Sequence, residues 1–121
     1  MKKLMTKPKK YRIIPRSTIN KPDGSGTKMV EILFTSSMDP IEWKEFRDTM
    51  MKLLKQGFLQ WRFNLQGFEY PTSTDLGMWV TCNATISKHS GNVEFLIPKN
   101  SNVLKVISLT KLDSIFNITE L

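Results

Sequence analysis

An α/β fold, with a mixed β-sheet and crossover helices, is what this sequence predicts, and three observations predict it. Apolar runs of strand length alternate with stretches of helical spacing, the first two strand-like runs are joined by a turn-rich segment, and the first long helix carries a complete start signal. A chain of 121 residues that is 40% hydrophobic suffices for one core.

Tyr11-Arg-Ile-Ile-Pro15 reads as a first short strand, and Lys21-Pro-Asp-Gly-Ser-Gly-Thr-Lys28 as the loop of a hairpin. Met29-Val-Glu-Ile-Leu-Phe-Thr35 is the second strand, rich in β-branched and large apolar residues. A helix then runs from Asp39 to Gly57. Asp39 can accept from first-turn amides, Pro40 suits the first helical position, Glu42 stands where a capping-box acid belongs, and Gly57 supplies the stop. Trp43, Phe46, Met50, Leu53 and Leu54 recur at the spacing of one buried stripe. The alternation in Phe58-Leu-Gln-Trp-Arg-Phe-Asn-Leu65 predicts a third strand. After the break at Gln66–Pro71, a second helix is expected from about Thr74 to about Lys88, with Leu76, Trp79, Val80, Asn83, Ala84 and Ser87 on its apolar face. Gly91–Pro98 is the next strand. Asn100 or Ser101 caps a short helix through Val103, Leu104, Ile107 and Leu109, and Leu112, Ile115, Phe116 and Ile118 add core material.

Charge divides the chain. Residues 1–28 carry nine Lys or Arg against Asp23 alone, while the remainder carries nine basic and ten acidic residues. The formal +7 therefore lies in a basic, partly flexible arm, 1–28, that includes the first strand, ahead of a nearly neutral domain, 29–121. Nucleic acid is a disfavoured partner: such binding would rest on the arm, where only Tyr11 could stack. No apolar run is long enough to cross a bilayer, and Met1-Lys-Lys-Leu-Met5 lacks the apolar centre of a signal peptide, so a soluble, cytoplasmic protein is expected. Cys82 and His89 are single, which undersupplies a disulfide framework, a structural metal site or a Cys-His or Ser-His nucleophile. Neither an enzyme nor a cofactor is expected. Cys82 reads as a buried helix residue, His89 as a group near exposed helix-end carbonyls, and Glu31, Glu45 and Asp48 as solvated charges.

One stretch stands out. Glu69-Tyr-Pro-Thr-Ser-Thr-Asp-Leu-Gly-Met-Trp79 sets three hydroxyl residues and an acid where a strand feeds the amino end of a helix. Such residues serve as helix caps in any protein. The same place exposes small side chains beside amides that favour anions.

The stretch also resembles a known family, the STAS domain of anti-sigma-factor antagonists, over roughly Met29 to the C-terminus. The resemblance rests on three spaced blocks: Asn64-Leu-Gln-Gly-Phe68 leading to Thr72-Ser-Thr-Asp-Leu-Gly-Met-Trp79; Val93-Glu-Phe-Leu-Ile-Pro98 with Val103-Leu-Lys-Val-Ile107; and Leu109-Thr-Lys-Leu-Asp-Ser-Ile-Phe116. It implies a bacterial, non-enzymatic protein-interaction switch in transcription control. The implied partner is an anti-sigma factor or serine-kinase-like protein, and the implied phosphoacceptor is Ser73, with Thr74 as its neighbour. The implied binding surface is Thr72, Ser73, Thr74, Asp75 and Met78, joined by Tyr70 and the Ser36-Ser37-Met38 loop. Two positions depart from the family's pattern: Thr72 replaces the acid before the acceptor, and Asp75 replaces a glycine, which predicts repulsion of a phosphate on Ser73. Alternative readings are an unmodified accessory subunit of a membrane transport complex and a nucleic-acid binder acting through the basic arm.

Overall fold

A computed structural model describes residues 9–19 and 26–121. Their strands and helices follow in the order β1 (Tyr11–Ile19), β2 (Gly26–Phe34), α1 (Pro40–Lys55), β3 (Gln60–Asn64), α2 (Ser73–Lys88), β4 (Asn92–Ile97), α3 (Asn102–Leu109), a 3₁₀ turn (Leu112–Ser114) and β5 (Asn117–Glu120). The five strands form one mixed sheet in the order 1-2-3-4-5; β1 runs antiparallel to β2, and β2 through β5 are parallel. Each of the three helices therefore carries the chain one strand further in the same direction. Right-handed crossovers of that kind place all three helices on one face.

Burial along the strands agrees with this. Val30, Ile32, Phe34, Trp61, Phe63, Val93, Phe95 and Ile97 point into a core with Trp43, Phe46 and Met50 of α1, Trp79, Cys82 and Ile86 of α2, and Val103 and Ile107 of α3. Phe34 is the hub. Its ring lies 5.2 to 6.1 Å from those of Trp43, Phe46, Phe63 and Trp79, in tilted or edge-on contacts that add to the area they bury.

The predicted caps form. Asp39 and Glu42 close a capping box on α1, with Pro40 in its first turn, and Ser101 caps α3. Gly57 follows α1 at φ +90°, a conformation that a side chain would strain.

Several expectations are corrected. β1 continues past Pro15 to Ile19 and β2 begins at Gly26, so β1 and the start of β2, both within the expected arm, belong to the same sheet as the rest. The remainder of that arm, residues 1–8 and 20–25, lies outside the described residues, as does most of the expected hairpin loop. A fifth strand follows the 3₁₀ turn, where the sequence promised only core residues; of Leu112, Ile115, Phe116 and Ile118, only Phe116 is buried. The buried row of α2 is Asp75, Trp79, Cys82 and Ile86, so Ala84 and Ser87 of the expected face are exposed. Glu31 is not solvated. It is 7% exposed on the face away from the helices, where Asn64 Nδ2 donates to its Oε2 at 3.0 Å and Arg16 and Arg62 approach Oε1 at 3.5 and 4.0 Å. Arg62 also pairs with Glu94 at 3.2 Å, so a row of alternating charges paves the open face of the sheet.

Candidate functional site

The hydroxyl-rich stretch lies where the topology predicts, at the carboxyl ends of β2 and β3. Thr72 is extended (φ −85°, ψ 169°) and caps α2: its Oγ1 accepts from Asp75 N at 3.1 Å, and Asp75 Oδ2 accepts from Thr72 N at 2.9 Å. Thr72 is thus the capping member of the trio, and the box is completed by an Asp at the third helical position. Ser73 and Thr74, the first two helical residues, are exposed.

Asp75 corrects the sequence reading. Expected among the surface groups, it is fully buried. Oδ1 accepts from Trp43 Nε1 at 3.0 Å and from Met38 N at 3.2 Å, so one carboxylate ties the head of α2 to α1 and to the β2–α1 loop. Burial raises its pKa, but hydrogen bonds from the Thr72 amide, the Ser37 hydroxyl, the Met38 amide and the Trp43 indole outweigh that effect and hold it below the usual carboxylate range. Ser37 has one hydroxyl proton to share between Asp75 and the Tyr70 carbonyl, which lies 3.1 Å from its Oγ. The loops after β2 and β3 are therefore fastened to each other.

The other expected contacts divide. Tyr70 is 64% exposed beside this junction, whereas Met38 is buried and Met78 is half-buried against the core. Sequence reasoning did not single out the depression next to Tyr70, about 440 Å³, lined by Lys10, Thr35, Ser36, Ser37, Phe68 and Glu69 among others. Lys10 arrives there only because β1 runs antiparallel, and its Nζ is held by Glu42 at 3.1 Å. The hairpin is legible in its turn-rich loop, but the register that brings Lys10 level with Thr35 leaves no local sequence signal.

Among the described residues there is no group of three or more His, Cys, Asp or Glu side chains placed to hold a metal, and no helix long and apolar enough to cross a membrane. His89 lies at the far end of α2, where its Nδ1 is 2.9 Å from the Thr85 carbonyl. Cys82 is buried, and burial pushes its thiol up to about 12 despite the nearby charge of Arg47.

No protein-family model matches the chain, and no curated protein matches it by sequence. Solved structures do match. The unphosphorylated form of the anti-sigma factor antagonist SpoIIAA aligns with a TM-score of 0.64 at 14% identity, covering 89% of this chain and 88% of that one. The phosphorylated form of the Bacillus cell fate determinant SpoIIAA gives 0.60 at 13% identity, over 89% and 91%. TM1081 of Thermotoga maritima, solved by NMR, gives 0.71 at 21% identity, over 99% and 86%. At these identities the likeness is one of fold, and the fold of this chain is that of the anti-sigma factor antagonists, a STAS-like domain.

Proposed function

We propose that this protein is a non-enzymatic interaction switch: the head of α2 binds an anti-sigma factor with kinase activity, and phosphorylation of Ser73 by that partner ends the complex. The observation that carries this reading is a division of labour among four consecutive residues. Thr72 and Asp75 are consumed in holding the turn, while Ser73 and Thr74 stand exposed on it. A modifiable hydroxyl needs both reach and a fixed position.

Phosphate on Ser73 would add about 1.5 to 2 negative charges at neutral pH. The first-turn amides of α2 offer it partial compensation, so the domain tolerates the modification without refolding. A partner packed on the same spot would have to desolvate that charge, which is costly. The repulsion expected from Asp75 is damped, because both of its oxygens face inward and are occupied by donors. Tyr70 supplies an exposed aromatic beside the hydroxyls, the kind of residue enriched at interface hot spots. An enzyme reading lacks a base for Ser73, since His89 sits some 24 Å along the helix at 1.5 Å per residue.

Incubation with a purified anti-sigma kinase and ATP tests the modification by intact mass and peptide mapping. One added phosphate on Ser73, absent from Ser73→Ala and retained in Thr74→Ala, is the expected result. No phosphate, or phosphate confined to Thr74, would overturn the assignment.

A further inference from the structure

The two edges of the sheet are built differently. On β1, Thr35 N donates to Lys10 O at 2.9 Å, which fixes the even-numbered residues as those bonded to β2 and turns the odd-numbered backbone groups outward. Pro15 is odd, so the outer edge of β1 lacks a donor at its middle, and exposed Arg12 and Arg16 flank the gap. The edge is blunted. On β5, Leu121 N donates to Ile97 O at 2.9 Å and Leu121 O accepts from Lys99 N at 3.3 Å. Thr119 and Asn117 accordingly face β4, and Ile118 and Glu120 direct both their N–H and C=O groups away from the sheet. No described strand lies on that side.

The surroundings of β5 are apolar for a surface. Among the described residues five large hydrophobic side chains are well exposed, and three of them lie from the end of α3 to the residue after β5: Leu109 at 82%, Ile115 at 54% and Leu121 at 44%. A groove of about 330 Å³ runs along the helix side of the strand, lined by Leu104, Ser108, Phe116, Ile118 and Glu120 among others.

We propose that β5 is a homodimer interface, pairing antiparallel with β5 of a second copy about a two-fold axis through Thr119. This register lets the outward groups meet. Ile118 faces Glu120 of the second copy, and Glu120 faces its Ile118, giving four backbone hydrogen bonds. Side chains directly opposite one another must share a face, and they do: Ile118 and Glu120 both lie on the helix side, while Thr119, whose hydroxyl donates to Glu94 Oε2, meets its own copy on the open face. No like charges stand directly opposite. Leu121 faces Asn117 of the second copy and is covered. The result is a continuous ten-stranded sheet with isologous contacts. Because the axis lies at β5, the heads of both α2 helices remain open to partners.

Two measurements on the full chain decide the matter. Thr119→Cys would stand opposite itself in a non-hydrogen-bonded pair, at about 4.5 Å between Cα atoms, within disulfide range. Mild oxidation is expected to give a cross-linked dimer, with Cys82 buried and silent, whereas Asn117→Cys, which faces Leu121, still dimerises but forms no cross-link. Glu120→Pro removes an N–H that the fold does not use. In sedimentation it should raise the dimer dissociation constant about thirtyfold, through two lost hydrogen bonds, with the melting temperature unchanged at concentrations below the wild-type dissociation constant, where both proteins are monomers. The proposal is overturned if the wild type sediments as a monomer up to about 1 mM, or if Thr119→Cys fails to cross-link at concentrations where the wild type dimerises. A β5 edge that accepted only a foreign strand would give the first of these results.

Discussion

At the residue scale, Asp75 matters most to the site and was the least legible in the sequence. Its place in the first turn of a helix could be read locally, but its donors Trp43 and Met38 lie 32 and 37 positions away. Asp75→Ala would strand three buried or half-buried N–H donors, and a loss of about 3 kcal/mol in a denaturant titration is expected. A near-zero change would show that water replaces the carboxylate. Because the folded-state pKa lies below that of the unfolded chain, the group's contribution is fully present above about pH 4 and is lost as pH falls through the folded value. Asp75→Asn, which cannot ionise, should unfold with a shallower acid dependence. Cys82 permits a second check. With its thiol buried and raised to about 12, it should resist alkylation in the native protein and react only after unfolding. Glu31 shows another limit of reading by type: a charge between apolar residues on a strand looks solvated until Arg16, Arg62 and Asn64 close over it.

At the element scale, helix starts were legible because their chemistry is local: the Asp39–Glu42 box and the Ser101 cap stand where the sequence put them. The face of α2 was not, because hydrophobicity favours Leu76, Val80 and Ala84, while the buried row runs through a carboxylate and a cysteine. β5 escaped notice since Asn117-Ile-Thr-Glu120 has one apolar residue in four, as befits a strand with a single neighbour among the described residues. The α2–β4 junction carries its own prediction. Ser90 adopts φ 65° to turn the chain, and Gly91 then passes so close that an added Cβ would sit 2.5 Å from Leu59 O and 2.8 Å from Ile86 Cγ2. Gly91→Ala should therefore cost about 1–3 kcal/mol by thermal or chemical unfolding. An unchanged midpoint would mean that the junction yields freely.

At the scale of the whole molecule, the alternation of strands and helices revealed the architecture but not the strand order 1-2-3-4-5; given that order, handedness fixes which face the helices cover. Among the described residues, three crossovers in one direction leave one face of the sheet to side chains alone, and gather the loops after β2 and β3 at one end, where Asp75 joins them. That fastening is what turns a row of hydroxyls into a fixed surface, and it is the basis for assigning partner binding to the head of α2. The claim is tested most directly by a pull-down from native extract with wild type, Ser73→Ala and Ser73→Asp as baits, and mass spectrometry of what each retains. The account predicts a kinase-like anti-sigma factor held by wild type and Ser73→Ala and lost by Ser73→Asp. A partner set indifferent to both substitutions, such as subunits of a transporter, would contradict it.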